Sequence, residues 1–229
     1  MITVLQNYAT LLASVDRWFA DCCTDAGGEI ACARGCSACC RGLFDITLLD
    51  ACYLKIGFDR IGEGNRRVAL EKANRSLELI RVSWPEFDTP YILNVRPEEE
   101  WQVLMSDDDQ TACPLLSESG GCLVYDYRPM TCRLHGIPNI DLSGEFFSDE
   151  WCTMNFPGAN PLANKELRWD FKNCFQAELE IFKQFTAKLF NQSFNEIDTF
   201  IPMALLMDFD AISQSFCTVS GPEFPNGGK

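Results

Sequence analysis

Cysteine dominates the chemistry open to this chain: 13 of its 229 residues are cysteines, against a single histidine, His135. Thiolates ligate soft cations, attack electrophiles or cross-link, and spacing and surroundings decide among these uses. A buried cysteine also behaves as a small hydrophobe. Packing accounts for four of them: Cys22 continues a stripe from Trp18, Cys23 follows Phe19 by one turn, Cys52 follows Leu48 and Leu49, and Cys174 lies between Phe171 and Phe175. Cys217, near the C-terminus, carries no signal either way. The remaining eight, Cys32, Cys36, Cys39, Cys40, Cys113, Cys122, Cys132 and Cys152, fall in loop-like segments where no apolar period explains them.

Eight is two sets of four, the number that a closed tetrahedral thiolate site requires. The first set reads C-x3-C-x2-C-C over residues 32–40, close enough for one loop to wrap a soft cation. The second set, Cys113, Cys122, Cys132 and Cys152, begins about seventy residues downstream, and closing a loop of that length costs only a few kcal/mol. A structural zinc, worth roughly 10–16 kcal/mol, offsets that cost. Arg34 and Arg41 flank the first set, and Arg128 and Arg133 flank Cys132. A four-thiolate zinc centre is anionic, so arginines and backbone N–H donors beside the sulfurs suit it, although an ordinary surface ion pair accounts equally well for each arginine alone. Successive side chains diverge in an extended chain, which predicts that Cys39 and Cys40 do not both serve one ion as simple terminal ligands.

The string Cys32-x3-Cys36-x2-Cys39-Cys40, then Cys113-Pro114-Leu115-Leu116, then Cys122 followed by Tyr125-x2-Arg128-Pro129-x2-Cys132-Arg133, resembles the YkgJ-type cysteine-cluster family of zinc- or iron-chelating domains. The resemblance covers about residues 30–152, with Cys152 the most loosely spaced member. It implies chelation of metal ions by the cysteine cluster and supplies no settled reaction.

Spacing does not separate zinc from iron. Cys32-x3-Cys36-x2-Cys39 also matches the spacing by which radical S-adenosylmethionine enzymes hold a [4Fe-4S] cluster, but this chain lacks the repeated strand–helix units of their barrel, and Gly27-Gly28-Glu29 precedes the cluster instead of following it. A fully cysteine-ligated [4Fe-4S] centre stays open. His135 stands three residues after Cys132, where it serves as a ligand, a base or a hydrogen-bonded structural residue. A cysteine nucleophile needs a base within reach, and one histidine among eight grouped cysteines makes that the weaker account. Two classes of function therefore compete: a module whose metal staples an irregular centre and displays a surface to a protein partner, and an iron–sulfur redox or methyl-transfer enzyme.

Composition narrows the setting. With 47% hydrophobic and 23% charged residues the chain has enough apolar material for one sizeable core. Its net charge of −14 repels phosphate backbones, so nucleic acid is not an expected partner. The N-terminus has no basic region before an apolar block, and the longest apolar run, about residues 200–207, is far too short to span a bilayer. These features read as a cytoplasmic protein with no membrane association, in which clustered thiols stay reduced.

Four amphipathic stretches must position the cysteines. Apolar residues at three- and four-residue steps predict helices at about 3–23, 63–83 and 162–190, with a shorter one from Leu48 ended by Gly57 and a turn of helix near 97–105. The centre from 113 to 152 is rich in Gly and Pro, with a short extended piece at Leu123-Val124-Tyr125, and is expected to bury little on its own. The acidic runs at 98–100 and 107–109 read as solvated surface, and residues 218–229 as a loose tail. The expected architecture is mainly α: a single domain, residues 1–229, of several helices around an irregular, cysteine-rich metal-binding centre.

Overall fold

The computed structural model describes residues 1–106 and 108–218, apart from the side chains of residues 214–218; the tail after 218, Asp107 and the Cys217 side chain lie outside the described residues. Helix α1, Ile2–Asp25, buries Val4, Tyr8, Leu12, Val15, Trp18 and Cys22, the stripe that its sequence carries. Strand β1, Asp45–Thr47, runs directly into α2, Leu48–Phe58, where the Thr47 hydroxyl accepts the Asp50 N–H at 3.1 Å and caps the helix. Gly57 does not end α2. It lies inside the helix, where the ring of Tyr127 packs so closely that a methyl group would sit 2.6 Å from its Cδ2.

Helix α3 spans Glu63–Ser83, as its periodicity predicts, and α4 is the short turn Glu98–Gln102. Helix α5, Met130–Leu134, follows a 3-10 turn at Tyr125–Tyr127 that replaces the expected extended piece. Strands β2, Asn139–Ile140, and β3, Phe146–Ser148, pair antiparallel. Helix α6 spans Phe171–Phe190, starting nine residues later than its apolar period suggests. Two 3-10 turns, Pro161–Ala163 and Lys165–Leu167, occupy the preceding stretch, because the Asn160 and Asn164 side chains each cap a turn and Asp170 then caps α6 through the Asn173 N–H.

The apolar run near 200 becomes strand β4, Asp198–Phe200, helix α7, Ile201–Leu206, and the start of α8, Phe209–Thr218. β4 pairs antiparallel with β1, setting Asp45 opposite Phe200 and Thr47 opposite Asp198. Helix α7 is buried nearly all round and packs against α2 and α3, while α1 packs against α5 and α6. Trp18 fastens the 160s segment to α1 by donating to the Leu167 carbonyl at 3.1 Å and stacking on Trp169.

The result is mainly helical, with about half of the chain in helix. No helix among the described residues is long and apolar enough to cross a membrane. The cysteine-rich centre departs from expectation, since Leu115, Val124, Met130, Leu134, Ile137 and Ile140 are all buried in the common core or against it. Irregular backbone hid this contribution, because apolar residues in turns bury without leaving a period.

Candidate metal centre

The two cysteine strings meet through backbone hydrogen bonds. Tight turns shape the first, with the Cys36 N–H donating to the Ala33 carbonyl at 2.9 Å and the Cys40 N–H to the Ser37 carbonyl at 3.1 Å. An isolated antiparallel bridge between Arg41 and Ala112 then joins it to the second string, through the Cys113 N–H to the Cys40 carbonyl (2.9 Å) and the Gly42 N–H to the Thr111 carbonyl (2.8 Å). A small hairpin brings Cys122 back beside Cys113: the Leu123 N–H donates to the Leu115 carbonyl and the Ser117 N–H to the Gly121 carbonyl, each at 2.9 Å. Cys132 comes from α5, which the 3-10 turn delivers to the same place.

Six of the eight cysteines singled out by spacing, Cys36, Cys39, Cys40, Cys113, Cys122 and Cys132, line one chamber of about 70 Å³. Arg128 and His135 complete its polar wall, and Leu54, Leu115, Val124 and Ile201 contribute apolar wall. That volume suits an ion or two and excludes a substrate-sized molecule.

Cys32 and Cys152 are not part of this lining. The Cys152 N–H donates to the Gly136 carbonyl at 3.1 Å, and Asn155 sits between the segments, donating to that carbonyl at 2.6 Å and to the Cys32 sulfur at 3.3 Å while accepting the Ala31 N–H at 2.9 Å. Gly136 has a left-handed backbone (φ 114°), and a Cβ there would lie 3.1 Å from the Cys32 sulfur. Cys23 lies close enough to Cys32 for their charges to repel. Six of the eight thus line the chamber, while Cys32, beside Cys23 and Cys152, stands outside the lining but within electrostatic reach of Cys36 and Cys39.

Cys39 and Cys40 do not diverge. Residue 39 lies in a turn, not in extended chain, and the Cys39 thiol donates to the Cys40 sulfur. That hydrogen bond, followed by burial, pushes Cys39 up and draws Cys40 below the usual thiol range. Burial raises Cys113 to about 11 and pushes Cys132 well above an ordinary thiol. Two backbone donors act in the other direction, the Leu115 N–H toward Cys113 and the Val124 N–H toward Cys122. Each stands two residues beyond its cysteine, an arrangement that stabilises a thiolate in place.

The flanking arginines behave differently from one another. Arg128 lies with its guanidinium 3.8 Å from the Tyr125 ring centroid, lines the chamber, and lowers the pKa of Cys39, Cys122 and Cys132. Arg34 lies 4.7 Å from the same ring and is largely exposed, and Arg41 reaches the Gln110 carbonyl at the surface. Arg133 is buried and is mainly structural, donating to the Arg128 and Asp126 carbonyls at 2.9 Å and pairing with Asp16 of α1.

As the side chains stand, no group of three or more His, Cys, Asp or Glu among the described residues is arranged to hold a metal ion. Thiolates are the donor type that soft cations take. His135 lines the chamber with its ring edge to Phe44, and burial lowers its pKa, which favours the neutral imidazole.

Sequence reasoning missed Asn155 and Asp50, both polar residues in non-repeating positions. Asp50, on α2, is 3% exposed and accepts the Met130 N–H at 2.9 Å, anchoring the start of the helix that carries Cys132. An aspartate three residues after a threonine signals a capped helix start but carries no sign of this second, long-range partner. No protein-family model, curated protein or solved structure matches the chain.

Proposed function

We propose that this protein is a metal-binding protein of the YkgJ cysteine-cluster type, chelating zinc through Cys36, Cys39, Cys40, Cys113, Cys122 and Cys132. Cys32 and Cys152 lie outside the lining of that chamber, with Cys32 within electrostatic reach of Cys36 and Cys39 as well as of Cys152. The observation that carries this reading is the gathering of six cysteines, from four separate stretches of chain, around one chamber of about 70 Å³. Arg128 and the N–H groups of Leu115 and Val124 offset the negative charge that the thiolates would bring. Because burial holds most of these thiols protonated, binding releases protons and strengthens as pH rises.

Iron, alone or as a [4Fe-4S] cluster serving a redox or methyl-transfer reaction, is the second reading. The apolar share of the wall, Leu54, Leu115, Val124 and Ile201, supports it, since a dry surround is a common means of tuning cluster potential. We place the protein in the cytoplasm, where clustered thiols such as these stay reduced and open to metal. A metal that only staples the centre leaves the outer surface for a protein partner, and the charge of −14 disfavours nucleic acid in that role.

Elemental analysis and an absorption spectrum of protein purified without oxygen test both readings. A colourless sample with roughly one or two zinc ions per chain, lowered in Cys113→Ser and Cys132→Ser but not in Cys174→Ala, supports the first. Visible absorption with iron and sulfide selects the second. Freshly reduced protein without stoichiometric metal overturns both.

A further inference from the structure

Helix α3 carries apolar residues on two faces. Ala69, Ala73, Leu77 and Ile80 are buried on one, and the helix packs on α7. Val68, Leu79 and Val82 stand on the solvent side, 42%, 63% and 80% exposed, and lie within about 60° of one another around the helix. Arg75 falls on the same line, one heptad from Val68 and one from Val82, with Leu79 between, which is the period of a helix–helix seam. We propose that this face docks an amphipathic helix of a protein partner, apolar along its seam, with an acid facing Arg75 and basic residues along one flank.

The fold makes no use of this face. A single exposed apolar residue is ordinary, but here three share one line of a helix whose core contacts lie on another side. Glu71 and Glu78, also one heptad apart, border the seam on one edge. Among the described residues, the side chains of Glu71, Arg75 and Glu78 make no hydrogen bond or ion pair, although Glu71 and Arg75 stand one turn apart. Lys72, on the other edge, is already engaged, donating to the Leu116 carbonyl at 2.9 Å. The open charges are therefore one guanidinium within the seam and two carboxylates along one border.

Charge complementarity decides the occupant. A helix laid along the seam sets one side chain over Arg75, where a carboxylate pairs, and others along the Glu71 and Glu78 border, where lysine or arginine pairs. The net charge of −14 also steers a basic partner toward the molecule. A second copy is the wrong occupant. Antiparallel pairing that sets Val68 against Val82 sets Arg75 against Arg75, parallel pairing in register does the same, and both copies carry −14. This inference is independent of metal in the cysteine chamber.

Fluorescence anisotropy of a labelled synthetic peptide, titrated with the full chain, tests it. The probe is a helical peptide of about three heptads with leucine along its seam, glutamate at the central seam position and lysine along one flank. Its charge-reversed counterpart carries lysine at the centre and glutamate along the flank. The proposal expects saturable binding of the first peptide, and at least tenfold weaker binding both of the second peptide and of the first by Leu79→Asp and Val82→Asp. Both variants change exposed residues and are first verified as folded by circular dichroism. Arg75→Glu should instead prefer a form of the first peptide whose central glutamate is lysine. Absence of saturable binding, equal affinity for the two peptides, unchanged affinity in both folded aspartate variants, an unaltered preference in Arg75→Glu, or a dimer in sedimentation that Leu79→Asp and Val82→Asp dissolve would overturn the proposal.

Discussion

The Tyr8 hydroxyl, on α1, donates to the Asp50 carboxylate, on α2, at 2.5 Å across 42 residues of sequence. Because Asp50 also accepts the Met130 N–H and a contact from Thr47, one buried carboxylate ties α1, α2 and the start of α5 together. Tyr8 is wholly buried, and this bond leaves its hydroxyl partnered inside the core. Tyr8→Phe removes the donor without opening a large cavity and leaves a buried carboxylate short of one hydrogen bond. We expect a loss of about 1–3 kcal/mol in urea denaturation; a change within error would show that Asp50 is satisfied without it.

Gly57→Ala tests the close approach between α2 and the turn carrying Tyr127. Helix propensity alone favours alanine by about 1 kcal/mol. Steric overlap with the Tyr127 ring, whose Cβ and Cγ are involved as well as Cδ2, opposes it. Overpacking of this kind costs about 1–3 kcal/mol, so the variant should be less stable. Since Tyr127 lies between Cys122 and Cys132, the variant should also hold less zinc if the proposed chelation is right. A stabilised variant would show that the turn yields freely.

Asn155 uses both ends of its amide, with the oxygen on the Ala31 N–H and the nitrogen on the Gly136 carbonyl and the Cys32 sulfur. Asn155→Asp keeps the acceptor, loses the donors and sets a negative charge beside that carbonyl and sulfur. Thermal denaturation should show it at least as destabilised as Asn155→Ala, by roughly 2 kcal/mol. Parent-like stability in the aspartate variant would mean that the donor end contributes nothing.

Two buried carboxylates, Asp50 and Asp198, and the half-buried Glu178 set a pH dependence of stability. Burial raises Asp50 from 3.8 to about 6, Glu178 from 4.5 to about 8 and Asp198 from 3.8 to about 8. Each binds its proton more tightly in the folded chain than in the unfolded one. Their contribution is therefore fully present below about pH 4 and is lost as pH rises through about 6 to 8. Melting temperatures of metal-free protein should fall across this window. Glu178→Gln should flatten the fall and gain at least about 1.4 kcal/mol at pH 8, one pKa unit's worth. A melting temperature that climbs through the same range in the parent and is unaffected by this variant would refute it.

If the chain holds zinc as proposed, removing it should act locally. The stripes of α1, α3 and α6 and the apolar α7 pack without the thiols, whereas residues 33–42 and 113–124 are joined by few backbone bonds. A strong chelator should leave most of the helical circular dichroism and open these two stretches to protease, with 130–140 more protected because its apolar residues are buried. Loss of nearly all helix signal would show that the helices do not form an independent core. Unchanged protease resistance at both stretches would show that metal does not order them.

The sequence by itself determined the long helices and the grouping of cysteines. Apolar residues at helical steps leave one burial solution for residues 2–25 and 63–83, and both helices form there. Cys22 and Cys174, assigned to packing by the same steps, are buried. The eight loop cysteines stood out because nothing periodic explained them, and six of them meet at one chamber. Tertiary structure decided the rest, because partners far apart in sequence leave no local pattern. Only the fold leaves Cys32 and Cys152 out of the chamber lining and sets Cys23 beside Cys32. It also turns Gly57 from a helix stop into a contact with Tyr127 and directs Arg133 to Asp16. Asp45 of β1, Asp50 of α2, Glu178 of α6 and Asp198 of β4 lie up to 153 positions apart, Asp45 to Asp198, and line one cavity of about 470 Å³ only because β1 pairs with β4 and α6 packs on α1.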